Sequence, residues 1–203
     1  MSAVYFYCYN HMADFETVLL LHRLRCIGGL QIIPIAETLQ PVVSQSGLRY
    51  LPEKTIAQAA ASEAEALIIP GGPIDNRQNA IIPLIRQMHA AGKTVAAICF
   101  GPQFLARAGV LDTVRYTTSC TPEHIAQLGV EDPFPRAGWV PRRVVEDGHV
   151  ITAQGHAFVD FAKAVCRRLA IGTDPRQQWE LFDNIKATED DPASDSGRND
   201  DDA

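Results

Sequence analysis

Cys99 is the residue of this sequence best placed for chemistry, because of its neighbours along the chain. An apolar run, 94–98, comes directly before it, and Phe100-Gly101-Pro102 follows. The run is typical of a buried strand, and proline suits the first turn of a helix. A cysteine on such a turn projects from the top of a sheet, where free N–H groups and the helix dipole favour a thiolate. The pattern predicts a nucleophilic thiol with a lowered pKa, the alternative being a buried, inert cysteine.

A glycine-rich loop is the second feature that points to chemistry. Pro70-Gly71-Gly72-Pro73 follows the short apolar run 66–69. Glycines after a strand let backbone N–H groups approach a ligand closely. The amide of Gly72, with that of Phe100, would form an oxyanion hole for a developing negative charge. An ordinary turn is the alternative interpretation.

Two carboxylates open the first predicted helix, in the stretch Asp14-Phe15-Glu16. A carboxylate at this position commonly caps a helix or complements its dipole. Asp14 fits that structural role better than Glu16, which leaves Glu16 as the acidic candidate for the site.

The elements that must position these residues alternate between strands and helices. Apolar runs at 3–9, 30–36, 66–69, 94–98 and 149–152 predict the strands. The fourth run is interpreted as the most central strand, and Pro34 indicates an edge position or a bulge in the second. Such alternation predicts an α/β three-layer sandwich with a mostly parallel central sheet. Ligands then bind at the carboxyl ends of the strands, which selects the loops His11–Glu16, Gly71–Pro73 and Cys99–Gly101.

The first helix has apolar residues at helical spacing, and these predict its buried face: Phe15, Val18, Leu19 and Cys26. His22 precedes Cys26 by four residues, a spacing that metal ligands also use. No further ligand clusters with this pair, so we interpret both residues as core packing.

Composition excludes several classes of protein. The formal net charge is −6, whereas a nucleic-acid binder normally has a basic face. No apolar run approaches the roughly 18 residues of a membrane span, and the amino terminus resembles a strand rather than a signal peptide. The five cysteines are widely spaced with no Cys-x-x-Cys, which argues against a disulfide framework or zinc site. We therefore expect a cytoplasmic protein with no metal, no cofactor and no nucleic-acid or membrane partner.

Part of the negative charge is concentrated at the carboxyl end. Residues 187–203 are acidic and mixed with Ser, Gly and Asn, as in a solvated, disordered tail. Before it, Trp179, Phe182 and Ile185 form a helical stripe, interpreted as a terminal helix docked on the body, with a subunit contact as the alternative. The expected organisation is one domain over 1–186 and a tail over 187–203.

Taken in order, these motifs resemble the ThiJ/PfpI superfamily. They are Asp-Phe-Glu-Thr-Val, Leu-Ile-Ile-Pro-Gly-Gly, Ala-Ala-Ile-Cys-Phe-Gly-Pro and Val-Ile-Thr-Ala-Gln-Gly, and the resemblance covers residues 3–172. It implies the class I glutamine amidotransferase-like fold, which is flavodoxin-like, with a cysteine nucleophile elbow. It implies that Cys99 is the elbow cysteine, that Glu16 contacts its sulfur, and that Gly72 and Phe100 supply the oxyanion donors. Members of the superfamily are often dimers, so a homodimer is expected.

The sequence departs from the superfamily where a histidine is expected. Protease-like members have histidine directly after the cysteine, where this chain has Phe100. Other members have it after a Thr-Thr pair, where this chain has Ser119. His156 and His11, each in a loop after a strand, are the candidates for a substitute base. We expect His11, Gly71 and Ser119 to line the pocket.

Two functions remain in competition, with a scaffold or regulator as a third. The first is a cysteine-dependent hydrolase, lyase or amidotransferase-like enzyme that acts on a small carbonyl, amide or nitrile-like substrate. In it Cys99 attacks carbon and Glu16 holds or shuttles the proton. The second is a redox sensor or stress-protective protein in which Cys99 is oxidised to a sulfinate.

Overall fold

The computed structural model describes residues 2–74 and 79–172 of the chain. Over these ranges the chain forms nine strands and five α-helices, with short 3-10 turns between some of them. In chain order they are β1 Ala3–Tyr7, α1 Phe15–Cys26, β2 Gln31–Ala36, β3 Val42–Val43, β4 Arg49–Tyr50, β5 Lys54–Thr55, β6 Ala66–Ile69, α2 Ile82–Ala90, β7 Thr94–Ile98, α3 Pro102–Arg107, α4 Pro122–Leu128, β8 Val144–Asp147, β9 Val150–Ala153 and α5 Phe158–Arg168.

A seven-stranded sheet has the order β5-β2-β1-β6-β7-β9-β8. All neighbours are parallel except β8, which runs antiparallel to β9 at one edge. The predicted mostly parallel α/β sheet is thereby confirmed. Its middle strand is β6, however, with β7 one place away, so the prediction that 94–98 is most central is wrong by one strand. Strands β1, β6 and β7 are buried along their whole length, as expected for strands covered on both faces.

Helices cover both faces of the sheet. α1 packs against α5, while α2 packs against α3. The right-handed crossovers β1-α1-β2 and β6-α2-β7 step in opposite directions along the sheet, which places α1 and α2 on opposite faces. The carboxyl ends of β1, β6, β7 and β9 meet at one edge of the sheet. The three loops that were predicted from the sequence to bind ligands lie at this edge.

The buried face of α1 differs from the predicted one. Its buried residues are Glu16, Thr17, Leu20 and Leu24. Phe15 and Val18 instead retain 54% and 48% of their surface, and Cys26 and His22 are also exposed. The helix has apolar residues on both sides, so the spacing of apolar residues alone predicts the wrong side as the buried one. His22 and Cys26 are therefore not core residues.

Asp14 anchors a hairpin that sequence analysis did not predict. β3 and β4 form a separate two-stranded antiparallel sheet. The buried Asp14 carboxylate accepts hydrogen bonds from Ser46 Oγ at 2.8 Å and Tyr50 Oη at 3.0 Å. Its side chain makes no cap hydrogen bond to α1, so the predicted capping role is wrong. Burial raises the pKa of Asp14, but hydrogen bonds from the hairpin outweigh it and leave the pKa below its ordinary value.

Some regions lie outside these observations. The helical stripe of Trp179, Phe182 and Ile185 and the acidic stretch 187–203 fall outside the described residues, so the division at 186 stays a prediction. Among the helices of residues 2–74 and 79–172, none is long and apolar enough to cross a membrane.

Candidate active site

The chain makes a strained turn at Cys99, between β7 and α3. The backbone φ of this residue is 61°, in the left-handed region that non-glycine residues seldom adopt. Hydrogen bonds fix both of its peptide groups. Its N–H donates to the Ala153 carbonyl at 2.8 Å, and its carbonyl accepts from Thr118 Oγ1 at 2.6 Å and from the Ser119 N–H at 3.1 Å. Such over-determined strain is characteristic of functional sites and turns the side chain out of the sheet.

The Cys99 thiol and the Glu16 carboxyl are hydrogen-bonded to each other. Glu16 is buried, with 2% of its surface exposed, and Cys99 is half-buried. The Gly71 N–H donates to Glu16 Oε2 at 2.9 Å. The first turn of α1 thus delivers a carboxyl group to the sulfur, and the loop after β6 holds it there.

Two glycines allow this close approach. A Cβ atom at Gly71 would lie 2.5 Å from Glu16 Oε2 and 2.6 Å from Cys99 Cβ. At Gly155, after β9, it would lie 2.7 Å from Glu16 Oε1 and 3.0 Å from Cys99 Sγ. Side chains of any size would separate the acid from the sulfur. Gly155 was not singled out from the sequence, although it belongs to the Thr-Ala-Gln-Gly motif.

Burial sets the acidity of both groups. It raises the pKa of Glu16, and the hydrogen bonds from Cys99 and Gly71 offset this only in part. Burial also raises the pKa of the Cys99 thiol, and the negative charge of Glu16 adds to the effect. The prediction of a lowered thiol pKa is therefore wrong. Helix α3 has only six residues, and its favourable effect is smaller than the cost of enclosing the sulfur beside a carboxylate.

Hydrogen-bond donors also face the sulfur. The Phe100 amide and the Ser119 hydroxyl each bond the sulfur and lower the pKa of the thiol, in opposition to burial. Ser119 Oγ in turn accepts from the Gly155 N–H at 2.8 Å. Ser119, expected only as a pocket residue, thus connects the sulfur to the loop after β9.

Two side chains hold the predicted oxyanion loop, residues 70–73, in place. Tyr9 Oη donates to the Pro70 carbonyl at 3.0 Å, and a Cβ at Gly72 would lie 2.6 Å from Tyr9 Oη. Gln103 Nε2 donates to the Pro73 carbonyl at 2.9 Å. Glycine is required at position 72 because a tyrosine ring from the end of β1 occupies the space beside it.

The two histidines predicted from the sequence differ from Glu16 in burial. His156 follows Gly155 directly, but its side chain is exposed, and His11 is exposed in the loop after β1. Roles for both at the site stay predictions. His124 on α4 was not considered from the sequence; its ring makes an edge contact with Phe100, with centroids 5.1 Å apart. Little in the sequence points to His124, because α4 lies outside the recognised motifs. Among the described residues no group of three or more His, Cys, Asp and Glu is arranged to hold a metal ion.

Substitution of alanine for Gly71 or Gly155 is expected to reduce the reactivity of Cys99. The added methyl group would lie within about 3 Å of the sulfur and cover it, so the rate constant for alkylation by iodoacetamide should fall about 10-fold or more. Stability should fall by about 1–3 kcal/mol because the site is close-packed. Alkylation at Cys99 is measured by mass spectrometry and stability by urea unfolding.

Gly92→Ala is the matched control. Gly92 has φ 67° with no atom within 4 Å of an added Cβ. This variant should lose about 1–2 kcal/mol through backbone strain alone, with unchanged Cys99 alkylation. Wild-type alkylation rates in both site variants would contradict the close-packing argument.

Comparison with known proteins identifies the family of this chain. Residues 2–168 match the sequence profile of the DJ-1/PfpI family. The chain is 30% identical over 150 residues to Deglycase PfpI of Pyrococcus furiosus, covering 71% of this chain and 85% of that protein. It is 30% identical over 166 residues to an isonitrile hydratase of Pseudomonas putida, covering 78% and 67%.

A solved structure has the same fold. The crystal structure of a DJ-1 superfamily protein from Agrobacterium tumefaciens superposes with a TM-score of 0.77 at 26% identity, covering 92% of this chain and all of that one. The profile match extends over most of the chain and includes every element that contributes to the Cys99 site. The chain therefore belongs to the DJ-1/PfpI family.

Proposed function

We propose that this protein is a cysteine-dependent enzyme that acts on a small carbonyl, amide or nitrile-like substrate through Cys99. The observation that carries the proposal is the buried hydrogen bond between the Cys99 thiol and the Glu16 carboxyl. A nucleophile beside a group able to take its proton is the minimal machinery for covalent catalysis. Titratable groups with perturbed pKa values also concentrate at functional sites.

The first step is addition of the sulfur to the electrophilic carbon. A C–S bond forms, the π bond of the substrate breaks, and its electron pair moves to the oxygen or nitrogen. The thiol proton passes to ionised Glu16. Because burial raises the pKa of Glu16 toward the working pH, the carboxyl can both accept this proton and return it. Return of the proton neutralises the developing anion. Water then adds to the same carbon, the C–S bond breaks, and a proton returns to the sulfur, so that the hydrated product leaves and the free thiol is restored.

Main-chain amides would hold the developing charge. The Phe100 amide already bonds the sulfur, and in our mechanism it and the Gly72 amide donate hydrogen bonds to the substrate anion. Tyr9 and Gln103 keep the Gly72 loop in place, so the donors need little reorganisation during the reaction. Each such donor is commonly worth a factor of about 100 or more in turnover.

Ser119 fills the place of the histidine that other superfamily members have. Its hydroxyl bonds the sulfur but cannot act as a base near neutral pH, so proton transfer falls to Glu16. We therefore assign Ser119 to positioning of the sulfur, together with the Gly155 amide that bonds it. Under this assignment the chemistry needs neither His156 nor His11.

The activities named for similar proteins support a narrower class of substrate. A deglycase and an isonitrile hydratase are both similar to this chain at 30% identity. We infer that the substrate presents a small, polarised carbon, as an α-oxoaldehyde adduct or an isonitrile does. The half-buried sulfur favours a compact substrate over a folded polypeptide.

A redox sensor is the second candidate. The amide and hydroxyl donors around the sulfur would also stabilise a sulfinate. The structure of oxidised Toxoplasma gondii DJ-1 has this fold, with a TM-score of 0.72 at 19% identity. Two equivalents of peroxide would convert the thiol to the sulfinic acid and release two molecules of water. The raised thiol pKa opposes this function, because peroxide reacts with the thiolate.

We further propose a homodimer in a reducing compartment such as the cytoplasm. All five cysteines are free, as expected in such a compartment. The apolar outer face of α1, with Phe15 and Val18, borders Phe158 of α5, whose ring centroid lies 6.1 Å from that of Phe15. A second copy of the chain would cover this face.

Replacing Glu16 with glutamine should separate proton transfer from thiol reactivity. Turnover of an α-oxoaldehyde or isonitrile should fall about 100-fold or more, because the amide cannot carry the proton. Alkylation of Cys99 by iodoacetamide should change less than about 10-fold, since it needs no returned proton. Its pH profile should move to lower pH, because loss of the negative charge lowers the pKa of the thiol.

Cys99→Ser is the companion variant and should abolish turnover while the protein stays folded. Cys166→Ser, at a buried cysteine in α5 that makes none of the contacts described for the site, is the matched control and should retain activity. Full turnover in the Cys99→Ser variant, on a substrate that the wild type converts, would rule out the proposed nucleophile. Equal losses of turnover and alkylation in the Glu16→Gln variant would rule out the proton-carrier role.

Graded peroxide treatment distinguishes the two candidate functions. For an enzyme with a raised thiol pKa, Cys99 should oxidise no faster than the exposed Cys26. For a sensor, Cys99 should reach the sulfinate at least about 10-fold faster than Cys26, and saturably. Mass spectrometry of tryptic peptides gives both rates, and the second result would favour the sensor over the enzyme.

Val18→Asp should weaken dimer formation, because it places a charge in the proposed interface. Sedimentation velocity should show a wild-type dimer and a monomeric variant at the same concentration. Leu128→Asp, an exposed apolar position on α4, is the control and should stay dimeric. A monomeric wild type, or a dimer unaffected by Val18→Asp, would contradict this surface.

A further inference from the structure

Two histidines meet at the end of the sheet opposite Cys99. His89 lies in the last turn of α2, and His149 precedes β9. The His149 carbonyl accepts from the Val95 N–H at 3.0 Å, which places the pair at the amino end of the parallel strands. His89 Nδ1 and His149 Nε2 are 2.8 Å apart. The pair belongs to no part of the proposed catalytic mechanism.

The chemistry of imidazole limits what can lie between these two nitrogens. A neutral imidazole has one proton and two ring nitrogens. One of the facing nitrogens can therefore hold a proton that the other accepts. If both rings carry their protons on the outer nitrogens, two bare lone pairs face each other, and only a cation can stabilise that arrangement. The contact is a place for one proton or one metal ion.

The spacing favours particular metals. With metal–nitrogen bonds of about 2.05 Å, a separation of 2.8 Å corresponds to a nitrogen–metal–nitrogen angle of about 86°. This angle is close to the right angle of square-planar and octahedral sites, which Cu(II) and Ni(II) prefer. A tetrahedral zinc ion would need the nitrogens about 3.3 Å apart. The ring centroids are 4.6 Å apart with planes at 38°.

The surroundings keep the site both ordered and accessible. Both rings are half-buried, so a hydrated ion can reach them. The ligands come from two elements that the core fixes: Met88 and Val150, the respective chain neighbours of His89 and His149, are buried. Little ordering is then needed on binding.

We propose that His89 and His149 form a two-histidine site for a divalent ion of the copper and nickel type, with water completing the coordination. The ion would link the end of α2 to the β8–β9 turn. The site is independent of Cys99, so its test and that of the proposed enzyme activity can fail separately.

The test is titration of the full chain with Ni(II), which does not oxidise thiols as Cu(II) does. Calorimetry should show one saturable site per chain, with affinity reduced about 10-fold or more in His89→Gln and in His149→Gln. His11→Gln and His22→Gln remove exposed histidines and should stay within about twofold of wild type. No saturable binding, or equal losses in all four variants, would overturn the proposal.

A second measurement needs no variant. The protein has six histidines. In NMR spectra of the wild type, substoichiometric Ni(II) should broaden the ring signals of His89 and His149 before those of the other four. Ni(II) should also raise the melting temperature of the wild type but not of His149→Gln. Simultaneous broadening of all six rings would overturn the proposal.

Discussion

The contact between a buried carboxyl group and a half-buried thiol is the constraint on which the site depends. Two adjacent groups that each resist ionisation can share a proton, but they cannot both become charged without strong repulsion. The fold holds them together by placing the first turn of α1, the loop after β6 and the turn after β7 at one edge of the sheet. Gly71 and Gly155 are needed because no side chain fits between the acid, the sulfur and the surrounding backbone. The parallel sheet therefore serves chiefly to bring separate loop residues into contact.

The same constraint explains how the site can work with Glu16 as its proton carrier. A base must lie within hydrogen-bond reach of the proton that it takes, and Glu16 meets that requirement. Strain at Cys99, fixed by hydrogen bonds to Ala153, Thr118 and Ser119, keeps the sulfur aimed at the carboxyl. Burial then moves the pKa of Glu16 upward, the direction that a proton carrier needs. Burial also raises the pKa of the Cys99 thiol, which lowers its reactivity, and the hydrogen bonds from Phe100 and Ser119 reduce this rise. Reactivity therefore depends on a balance between burial of the sulfur and hydrogen bonding to it.

Much of the fold follows from local patterns, whereas the site depends on long-range contacts. Continuous apolar runs that alternate with helices predicted the parallel sheet, because strands buried on both faces leave such runs in the sequence. The elbow and the glycine loop were recognisable from composition and order, but the pairing of Glu16 with Cys99 came from resemblance. The outer face of α1 was mistaken for its core, since its apolar residues occupy both sides. Asp14 binds the β3–β4 hairpin through partners more than 30 residues away, which no cap rule foresees. The direction of the Cys99 pKa shift depends on how deeply the thiol is buried, which likewise appears only in three dimensions.

The most direct test of this account is the protonation of Glu16, followed by infrared difference spectroscopy of wild type against Glu16→Gln across a pH titration. An ordinary glutamate side chain titrates at about pH 4.3. Our account predicts a carboxylic-acid carbonyl band, absent in the variant, that persists to distinctly higher pH and moves when Cys99 is alkylated. A band that disappears at or below the ordinary pH and does not respond to alkylation would show that Glu16 does not share the proton of Cys99.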